Sequence, residues 1–410
     1  MRALLLILIM LVSWPAVAQD AAEQEKSAFL TWVEDKISTD NRRIEITGID
    51  GALSSNASIA QITVADREGV WLTLEDVSII WTRSALLTGR LVIDELKAGR
   101  IEMARQPLPD ASLPTPESSA FALPELPVSI SIGKLEAPSV ILGQPAFGQA
   151  AELSLAGFVQ LADGSLDTKL DITRKDGPGG RMALAAAFAN STRQLTLDLD
   201  LKEPQNGVLA NMLDIEGKPA IDLTVKGDAP LSDFKADVKL NAGATAALAG
   251  TVELAEQGRD LAVKAAFAGP VGILVPENLR SFFGPETRLS LSGMAPEAGG
   301  FRLDTLALSG GPLDLEGSGE VLADGFLRRL KLDGSLRSAN GEPVTLPVAG
   351  GDTKLSAATL ALSYGDVADG QWSGRINAEG FASPGFDADR LLVDMGGQVT
   401  ALDDPASRRV

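Results

Sequence analysis

Residues 57–105 decide the fold, and they read ASIAQITVADREGVWLTLEDVSIIWTRSALLTGRLVIDELKAGRIEMAR. Apolar and polar residues alternate through Val70–Leu74 and again through Leu91–Ile93, and this period of two is typical of half-buried β-strands. Asp66–Gly69 offers turn-forming residues, and Ser84–Gly89 predicts one apolar helical turn between strands. The stretch therefore predicts a strand, a turn, a strand, a helical turn and two more strands, all sharing one apolar face.

The same alternation continues through the rest of the chain. The clearest runs are Ser165–Arg174, Leu195–Lys202, Ile221–Lys226, Phe234–Leu240, Leu313–Glu316 and Leu330–Asp333. Turn-forming clusters separate them, among them Asp163-Gly164, Gly227–Pro230 and Asp333-Gly334, and an Asp-Gly pair between alternating runs is typical of a hairpin. Only Val208–Leu213 and Gly272–Phe283 predict helix in this part. The sequence therefore predicts an all-β fold, a long antiparallel meander with a few short helices.

The first twenty residues have the pattern of an export signal. Arg2 precedes the apolar run Ala3–Trp14, and Ala16 and Ala18 fit a small-residue cleavage site. An uncleaved signal anchor is the alternative interpretation, although the run is shorter than the ~20 residues that span a bilayer. Both interpretations place the rest of the chain outside the bacterial cytoplasm.

The remaining sequence predicts three segments. Residues 21–106 hold an amphipathic helix at Ala28–Ile37, expected to cap the sheet, and the first β segment. Residues 107–127 are rich in proline, which lacks a ladder donor, so they predict a linker. Residues 128–410 form the second β segment. No capping element follows its last strand, as arrays of repeats require, so we expect the chain to be a fragment of something longer.

Composition excludes several classes of function. The net charge is −19, which argues against nucleic-acid binding because phosphates require clustered Lys and Arg. The chain has no Cys and no His, so the commonest general base and the commonest transition-metal ligands are missing. Gly317-Ser318-Gly319 begins a dinucleotide-like pattern, but Leu322 replaces the third glycine. We predict no catalytic residue, no metal site and no cofactor.

The alternation has two physical interpretations. A closed sandwich, a barrel or a β-helix would bury the apolar faces against each other. An open trough would instead leave a continuous apolar face for a ligand, since large exposed apolar patches usually contact lipid or a partner. The small residues Ala183, Ala185 and Ala187 are expected to leave space beside the leucine rows, where acyl chains would lie.

Under the trough interpretation the apolar strand positions contact acyl chains. The predicted groove residues are Leu153, Leu155, Leu195, Leu197, Leu199, Leu201, Ile221, Leu223, Val225, Phe234, Val238, Leu240, Leu313, Leu315, Leu330 and Leu332.

An ordered series of stretches resembles the TamB family, the inner-membrane subunits of the translocation and assembly module within the AsmA-like, bridge-like lipid-transfer group. The stretches are Gly69–Arg105 (GVWLTLEDVSIIWTRSALLTGRLVIDELKAGRIEMAR), Phe121–Glu136 (FALPELPVSISIGKLE), Leu161–Leu201, Gly227–Leu240 (GDAPLSDFKADVKL) and Glu277–Gly293 (ENLRSFFGPETRLSLSG). The likeness covers nearly the whole chain after Asp20, and its specificity lies in the order of the stretches because no single motif is catalytic.

The resemblance implies a β-taco, a long sheet curled around a hydrophobic groove that crosses the periplasm. It implies outer-membrane biogenesis, with phospholipid carried between the inner and outer membranes. A second implied role is a scaffold that inserts or secretes outer-membrane proteins and autotransporters with the barrel partner TamA. The family's C-terminal domain, which meets that partner, has no counterpart before Val410.

A third hypothesis from another class is an extracellular carbohydrate-binding β-solenoid. It requires aromatic platforms for sugar rings and, for hydrolysis, paired carboxylates. With one Tyr and five Trp the chain offers few such platforms.

Overall fold

The computed structural model describes residues 42–51, 54–88, 90–108, 129–177, 179–323, 325–338, 342–346, 353–365 and 370–399. The predicted signal segment with Ala16 and Ala18, the predicted helix Ala28–Ile37 and almost all of the proline-rich segment 107–127 lie outside these residues. Within the described ranges no helix is both long enough and apolar enough to cross a bilayer.

The described residues form 22 strands. They are β1 Arg43–Asp50, β2 Asn56–Asp66, β3 Gly69–Trp81, β4 Arg90–Met103, β5 Ser129–Leu142, β6 Ala151–Ala162, β7 Ser165–Arg174, β8 Arg181–Ala189, β9 Gln194–Glu203, β10 Ile221–Pro230, β11 Phe234–Ala242, β12 Thr245–Gln257, β13 Asp260–Gly269, β14 Thr287–Ala295, β15 Phe301–Gly310, β16 Leu313–Val321, β17 Leu327–Arg337, β18 Val344–Leu346, β19 Thr353–Leu355, β20 Ala357–Tyr364, β21 Gln371–Ser383 and β22 Phe386–Gln398.

Helices in the described residues are single turns or little more. They are Arg83–Thr88, Gln144–Phe147, Val208–Met212, Leu231–Asp233, Val271–Leu274 and Glu277–Phe282. The predicted helix over Gly272–Phe283 is therefore two 3-10 turns separated by Val275 and Pro276, because proline cannot donate the backbone hydrogen bond that would continue the first turn.

The chain divides into two compact units, Met1–Asp110 with Ile132–Ala156, and Ala111–Ser131 with Gly157–Val410. In the first unit β1 to β4 pair in sequence order, each antiparallel to the next. Ile59, Val77 and Ala98 from three successive strands form its buried cluster. The predicted pair of strands after the Arg83–Thr88 turn is one continuous strand, β4.

A salt bridge closes one end of the first unit. The Arg105 guanidinium donates to the Asp66 carboxylate (Nη1 to Oδ2, 2.8 Å) and to the Gly69 carbonyl oxygen (2.8 Å). The backbone N–H groups of Glu68 and Leu108 also donate to the Asp66 carboxylate. The turn between β2 and β3 is thereby tied to the chain that leaves β4.

In the second unit, strands β7 to β17 pair in sequence order, each antiparallel to the next. β17 then pairs with β20, and β20 with β21 and β22, while β18 and β19 form a short side hairpin. Among the described residues β22 pairs only with β21, so this series ends in an edge strand. The predicted all-β antiparallel meander is confirmed.

Two predicted turns are wrong. Gly227–Pro230 lies in β10 and Asp333-Gly334 lies in β17. Gly334 stands between Leu315 and Leu360, and a Cβ there would lie 2.7 Å from Leu315 Cδ2. Gly334 therefore allows close packing within a strand, and it does not provide a positive φ in a turn.

Candidate functional site: the apolar face of the second unit

The strand register aligns the apolar residues of the second unit into rows that cross the sheet. The row through the middle of the strands, called the central row below, consists of Leu170, Leu184, Leu199, Val225, Val238, Gly250, Phe267, Leu289, Leu308, Leu315, Gly334, Leu360, Ile376 and Val393. Every side chain in it is half-buried. The central row and its neighbours on the same side of the strands are called the apolar face.

The predicted groove residues lie in both units. Leu153 and Leu155 lie on β6 within the first unit, and the other fourteen lie in the second. The register brings Leu201, Leu223 and Leu240 side by side. Leu199, Val225 and Val238 meet in the same way in the central row.

Leu313 and Leu315 on β16, with Leu330 and Leu332 on β17, extend the predicted set toward the later strands. Ile221 and Phe234, by contrast, are almost fully buried in small clusters, so they are packing residues more than lining residues. The remaining fourteen predicted residues, from both units, are half-buried.

The other face of the same strands carries charges paired across neighbouring strands. Lys226 Nζ lies 3.2 Å from Asp198 Oδ1, and Arg375 Nε lies 2.6 Å from Asp394 Oδ1. Asp228 accepts hydrogen bonds from Gln194 and Thr196, which hold the pKa of its carboxyl below the usual range. Period-two alternation therefore separates an aliphatic face from a charged face within single strands.

The expectation for Ala183, Ala185 and Ala187 is wrong. The register places Ala183 opposite Asp171 and Asp200, and Ala185 opposite Lys169 and Asp198. These alanines lie on the charged face, because in β8 the apolar face is formed by the alternate residues from Met182 to Phe188. They leave no space beside the leucine rows.

Glycines supply many of the small positions on the apolar face, and the sequence analysis missed them. Among them are Gly227, Gly250, Gly293, Gly317, Gly319, Gly334 and Gly374. A Cβ on Gly227 would lie 2.6 Å from the Phe234 ring, and one on Gly317 would lie 3.2 Å from Leu332 Cδ1. The sequence could have identified Gly317 and Gly319, because each lies an even number of residues from Leu313 and Leu315 along β16 and so shares their face.

The buried clusters of the second unit join strands that are close in the pairing order. One contains Ala210, Ile215, Ile221, Ala242 and Ala247; another contains Phe188, Leu231, Phe234 and Ala236; a third contains Leu336, Val344, Leu355 and Ala378. Half of the buried apolar residues described in the whole chain are alanines, so few large side chains are fully enclosed. The clusters lie toward the strand ends, and the middle of the apolar face stays half-buried.

The two ends of these strands differ. At one end, called the connection margin, long connections over residues 204–220, 270–286 and 338–356 alternate with two-residue turns. At the other end, called the turn margin, the described connections are short, for example 190–193, 258–259 and 322–326. The apolar face therefore lies between two unlike margins.

Within the described ranges no cluster of three or more carboxylates has the geometry to hold a metal ion. No protein-family model, no curated protein and no solved structure matches the chain. The function is therefore inferred from the apolar face itself.

Proposed function

We propose that the chain carries phospholipid on the apolar face of the second unit, with the acyl chains lying across the strands. The strands would curl around this face as an open groove of the β-taco type. The export signal in residues 1–20 and the resemblance to the TamB family support a place in the periplasm, at the inner membrane, in outer-membrane biogenesis.

The central row is the observation that carries the proposal. It crosses fourteen strands without a charged or polar side chain, and its side chains are neither enclosed nor fully exposed. Burying apolar surface stabilises by about 0.8 kcal/mol per CH₂ group, so ten methylenes laid on such a face would contribute about 8 kcal/mol. A face of this length and composition suits a flexible hydrocarbon chain better than a compact polar ligand.

The distribution of the clusters favours an open face over a dry interior. Two packed layers would bring together side chains from strands far apart in the pairing order. The cluster around Phe188 and Phe234 joins only β8 to β12 with the adjoining Leu231 turn, and the cluster around Leu336 joins only β16 to β22 with the Glu277–Phe282 turn. Each described cluster of the second unit therefore joins only strands and connections that are near each other in the pairing order.

Two neighbouring positions on β9 provide the test. Leu197 faces Ala186 and Gly227 on the apolar face, and Asp198 faces the opposite side. A photo-crosslinking residue at position 197 of the full chain is expected to capture phospholipid in the periplasm, and one at position 198 is not. Capture at 198 and none at 197 would overturn the proposal.

Charged substitutions on the same face provide a second readout. Leu197→Asp or Leu223→Asp is expected to abolish lipid co-purification, measured by native mass spectrometry, because a carboxylate in contact with an acyl chain loses its hydration. Asp198→Asn is the matched control on the charged face and should keep its lipid. Circular dichroism of each variant separates loss of lipid from loss of folding.

One observation favours a second candidate, a scaffold for client β-strands. β22 is an edge strand among the described residues, and its Leu392 and Phe386 are 60% and 54% exposed. An exposed edge of this kind can pair with an incoming strand. Crosslinks from β22 to nascent outer-membrane proteins, without lipid capture at position 197, would favour this function over lipid transport.

A further inference from the structure

β22 leaves one long edge without a partner strand among the described residues. The strand runs over 13 residues, Phe386–Gln398, and pairs only with β21. Just beyond it, the Val399 N–H donates to the Gly370 carbonyl oxygen (2.8 Å). Because alternate residues of an antiparallel strand bond the same neighbour, the even-numbered residues from 390 to 398 turn their N–H and C=O groups away from β21. This edge can therefore accept another strand.

The side chains along this edge are complementary to their own reverse order. Arg390, Leu392 and Asp394 occupy alternate positions on the charged face, and all three are exposed. A second β22, lying antiparallel with Leu392 opposite its own copy, would bring Arg390 opposite the partner's Asp394 and Asp394 opposite the partner's Arg390. Opposite charges that face each other across antiparallel strands stabilise the pairing.

Neighbouring registers lose this complementarity. With the two-fold axis at position 390 or 394, Arg390 or Asp394 would face its own copy, and like charges directly opposite each other are destabilising. With the axis at position 391 or 393, Leu392 would face Arg390 or Asp394, and both ion pairs would be lost. The side chains therefore select the register centred on Leu392.

The neighbours of these residues on β21 continue the alternation of charge. Arg390 lies opposite Glu379, and Asp394 Oδ1 lies 2.6 Å from Arg375 Nε. The paired strands would thus carry a row of alternating charges from Glu379 through Arg390 to the partner's Asp394 and Arg375. No carboxylate in the described part of the chain lies within 4 Å of Arg390, so its guanidinium can form this ion pair without breaking another.

The opposite face of β22 fits the same register. Val393, the last residue of the central row, would lie opposite the partner's Leu391, and both are half-buried in the single chain. The apolar faces of the two copies would therefore meet edge to edge. The next pair outward joins Met395 to the partner's Asp389, so the apolar contact between the copies ends there.

We propose that two copies of this chain pair through β22 in a two-fold antiparallel dimer centred on Leu392. Such an interface uses the same surface on both copies, which is the commonest arrangement of homodimers. It gives hydrogen-bond partners to the free backbone groups of the edge and forms two Arg390–Asp394 ion pairs. It also covers Leu392, which is 60% exposed in the single chain, with its own copy. The inference goes beyond lipid carriage and does not depend on it.

Charge reversal tests the ion pairs. Arg390→Asp and Asp394→Arg each place like charges opposite each other twice in the dimer, so each variant alone should raise the dimer Kd by about tenfold. Sedimentation of the full chain measures this. An equimolar mixture of the two variants should form a heterodimer about as tight as the unmodified dimer, because positions 390 and 394 then carry opposite charges in both pairs. A variant that had merely unfolded β22 would not recover on mixing.

Lys331→Asp is the matched control for these variants. Lys331 is an exposed cation on the same face of the sheet, but it lies on β17 and away from the β22 edge. Its reversal should leave the dimer Kd unchanged.

A single thiol tests the register. The chain has no cysteine, so Leu392→Cys introduces the only thiol. Facing residues with outward backbone groups have Cα atoms about 5.5 Å apart, within the range of a disulfide, so the two copies should link on mild oxidation. Gln398→Cys, exposed on the same face of β22, is the control, because the register separates its two copies by about 40 Å and no link should form.

The outcomes decide the proposal without reference to lipid. A monomeric unmodified chain would overturn it and leave the edge free for a client strand. Single charge variants that dimerise as tightly as the unmodified chain, a mixture that does not recover, or equal linking at positions 392 and 398 would overturn it as well. None of these measurements depends on lipid capture at position 197, so lipid carriage and pairing through β22 can fail separately.

Discussion

Glycine and leucine share the apolar face of the second unit, and they lie beside each other on neighbouring strands. Where Gly317 stands between Leu306 and Leu332, the leucine side chains lie over the missing Cβ. A glycine in a strand weakens it, because the unfolded chain gains freedom and no side chain packs. Glycine therefore recurs at these positions because it leaves room for the larger side chains of neighbouring strands.

Two of these glycines differ sharply in what a methyl group would meet. At Gly250 an added Cβ would lie 1.9 Å from the Ala266 carbonyl oxygen, which is backbone and cannot turn away. At Gly374 the nearest atoms are Met395 Cε at 3.4 Å and Leu362 Cδ1 at 3.7 Å, which is ordinary contact. We expect Gly250→Ala to lower the free energy of unfolding by about 1–3 kcal/mol.

Gly374→Ala should instead raise the free energy of unfolding by about 0.5 kcal/mol, since a strand glycine is replaced without a clash. The measurement is the urea midpoint of the two full-length variants against the unmodified chain. Equal midpoint shifts for both variants would contradict the packing described around Gly250.

The face of the sheet on which a strand residue lies was largely predictable from the sequence, and the wrong predictions have one cause. Period-two alternation correctly assigned Leu197 and Asp198 to opposite faces because leucine and aspartate differ strongly in hydration. Ala183 and Gly334 were misassigned because alanine tolerates either face and glycine suits both turns and strands. The pairing register with neighbouring strands determines where such a residue lies, and this register cannot be derived from the sequence of one strand.

At the scale of single elements, the turn between β2 and β3 depends on the Asp66–Arg105 salt bridge. Hydrogen bonding from Arg105 is the main cause that holds the pKa of the Asp66 carboxyl well below its usual range. A carboxyl whose pKa is lowered by folding stabilises the folded state above its unfolded pKa, about 3.9. That stability is lost as the pH falls from this value toward the lower pKa of the folded state.

Asp66→Asn should therefore lower the thermal midpoint at pH 6, where the unmodified chain has its full salt bridge. The difference between the two chains should shrink at pH 3, because the unfolded state of the unmodified chain then binds a proton at Asp66 while the folded state keeps the carboxylate ionised. Thermal unfolding followed by circular dichroism at both pH values measures this. Asp167→Asn, an exposed position on β7, serves as the control; a difference that stays constant with pH would contradict the assigned role of Asp66.

Elements were predictable where the local pattern was strong. Val208–Met212 is helical as predicted, and the Asp163-Gly164 hairpin has both residues at positive φ, 51° and 66°. The turn Gln144–Phe147 was missed because proline and glycine flank an alanine and a phenylalanine without periodicity. The hydrogen bond from Arg280 to Glu216, which links the connections over residues 204–220 and 270–286, could not be predicted, because the two residues are 64 positions apart.

At the scale of the second unit, stability is distributed in local clusters, and this makes the open-face interpretation testable without lipid. Strands β9 to β12 contribute to two clusters at once, one around Ile221 and one around Phe234. When each strand packs only with near neighbours, stability approximates a sum of local contributions. Amide hydrogens of β9 to β11 should then exchange more slowly than those of β14 to β16.

The variant Ile221→Ala tests the same prediction that the second unit is stabilised by local clusters. Ile221 is almost fully buried among Ala210, Ala242 and Ala247, so truncating it should cost about 2–4 kcal/mol by leaving a cavity. Hydrogen exchange followed by mass spectrometry should show protection lost over β9 to β12 and kept over β20 to β22, because no described cluster joins these two regions. Uniform loss across the second unit would contradict stabilisation by local clusters and would favour one cooperative core over an open face.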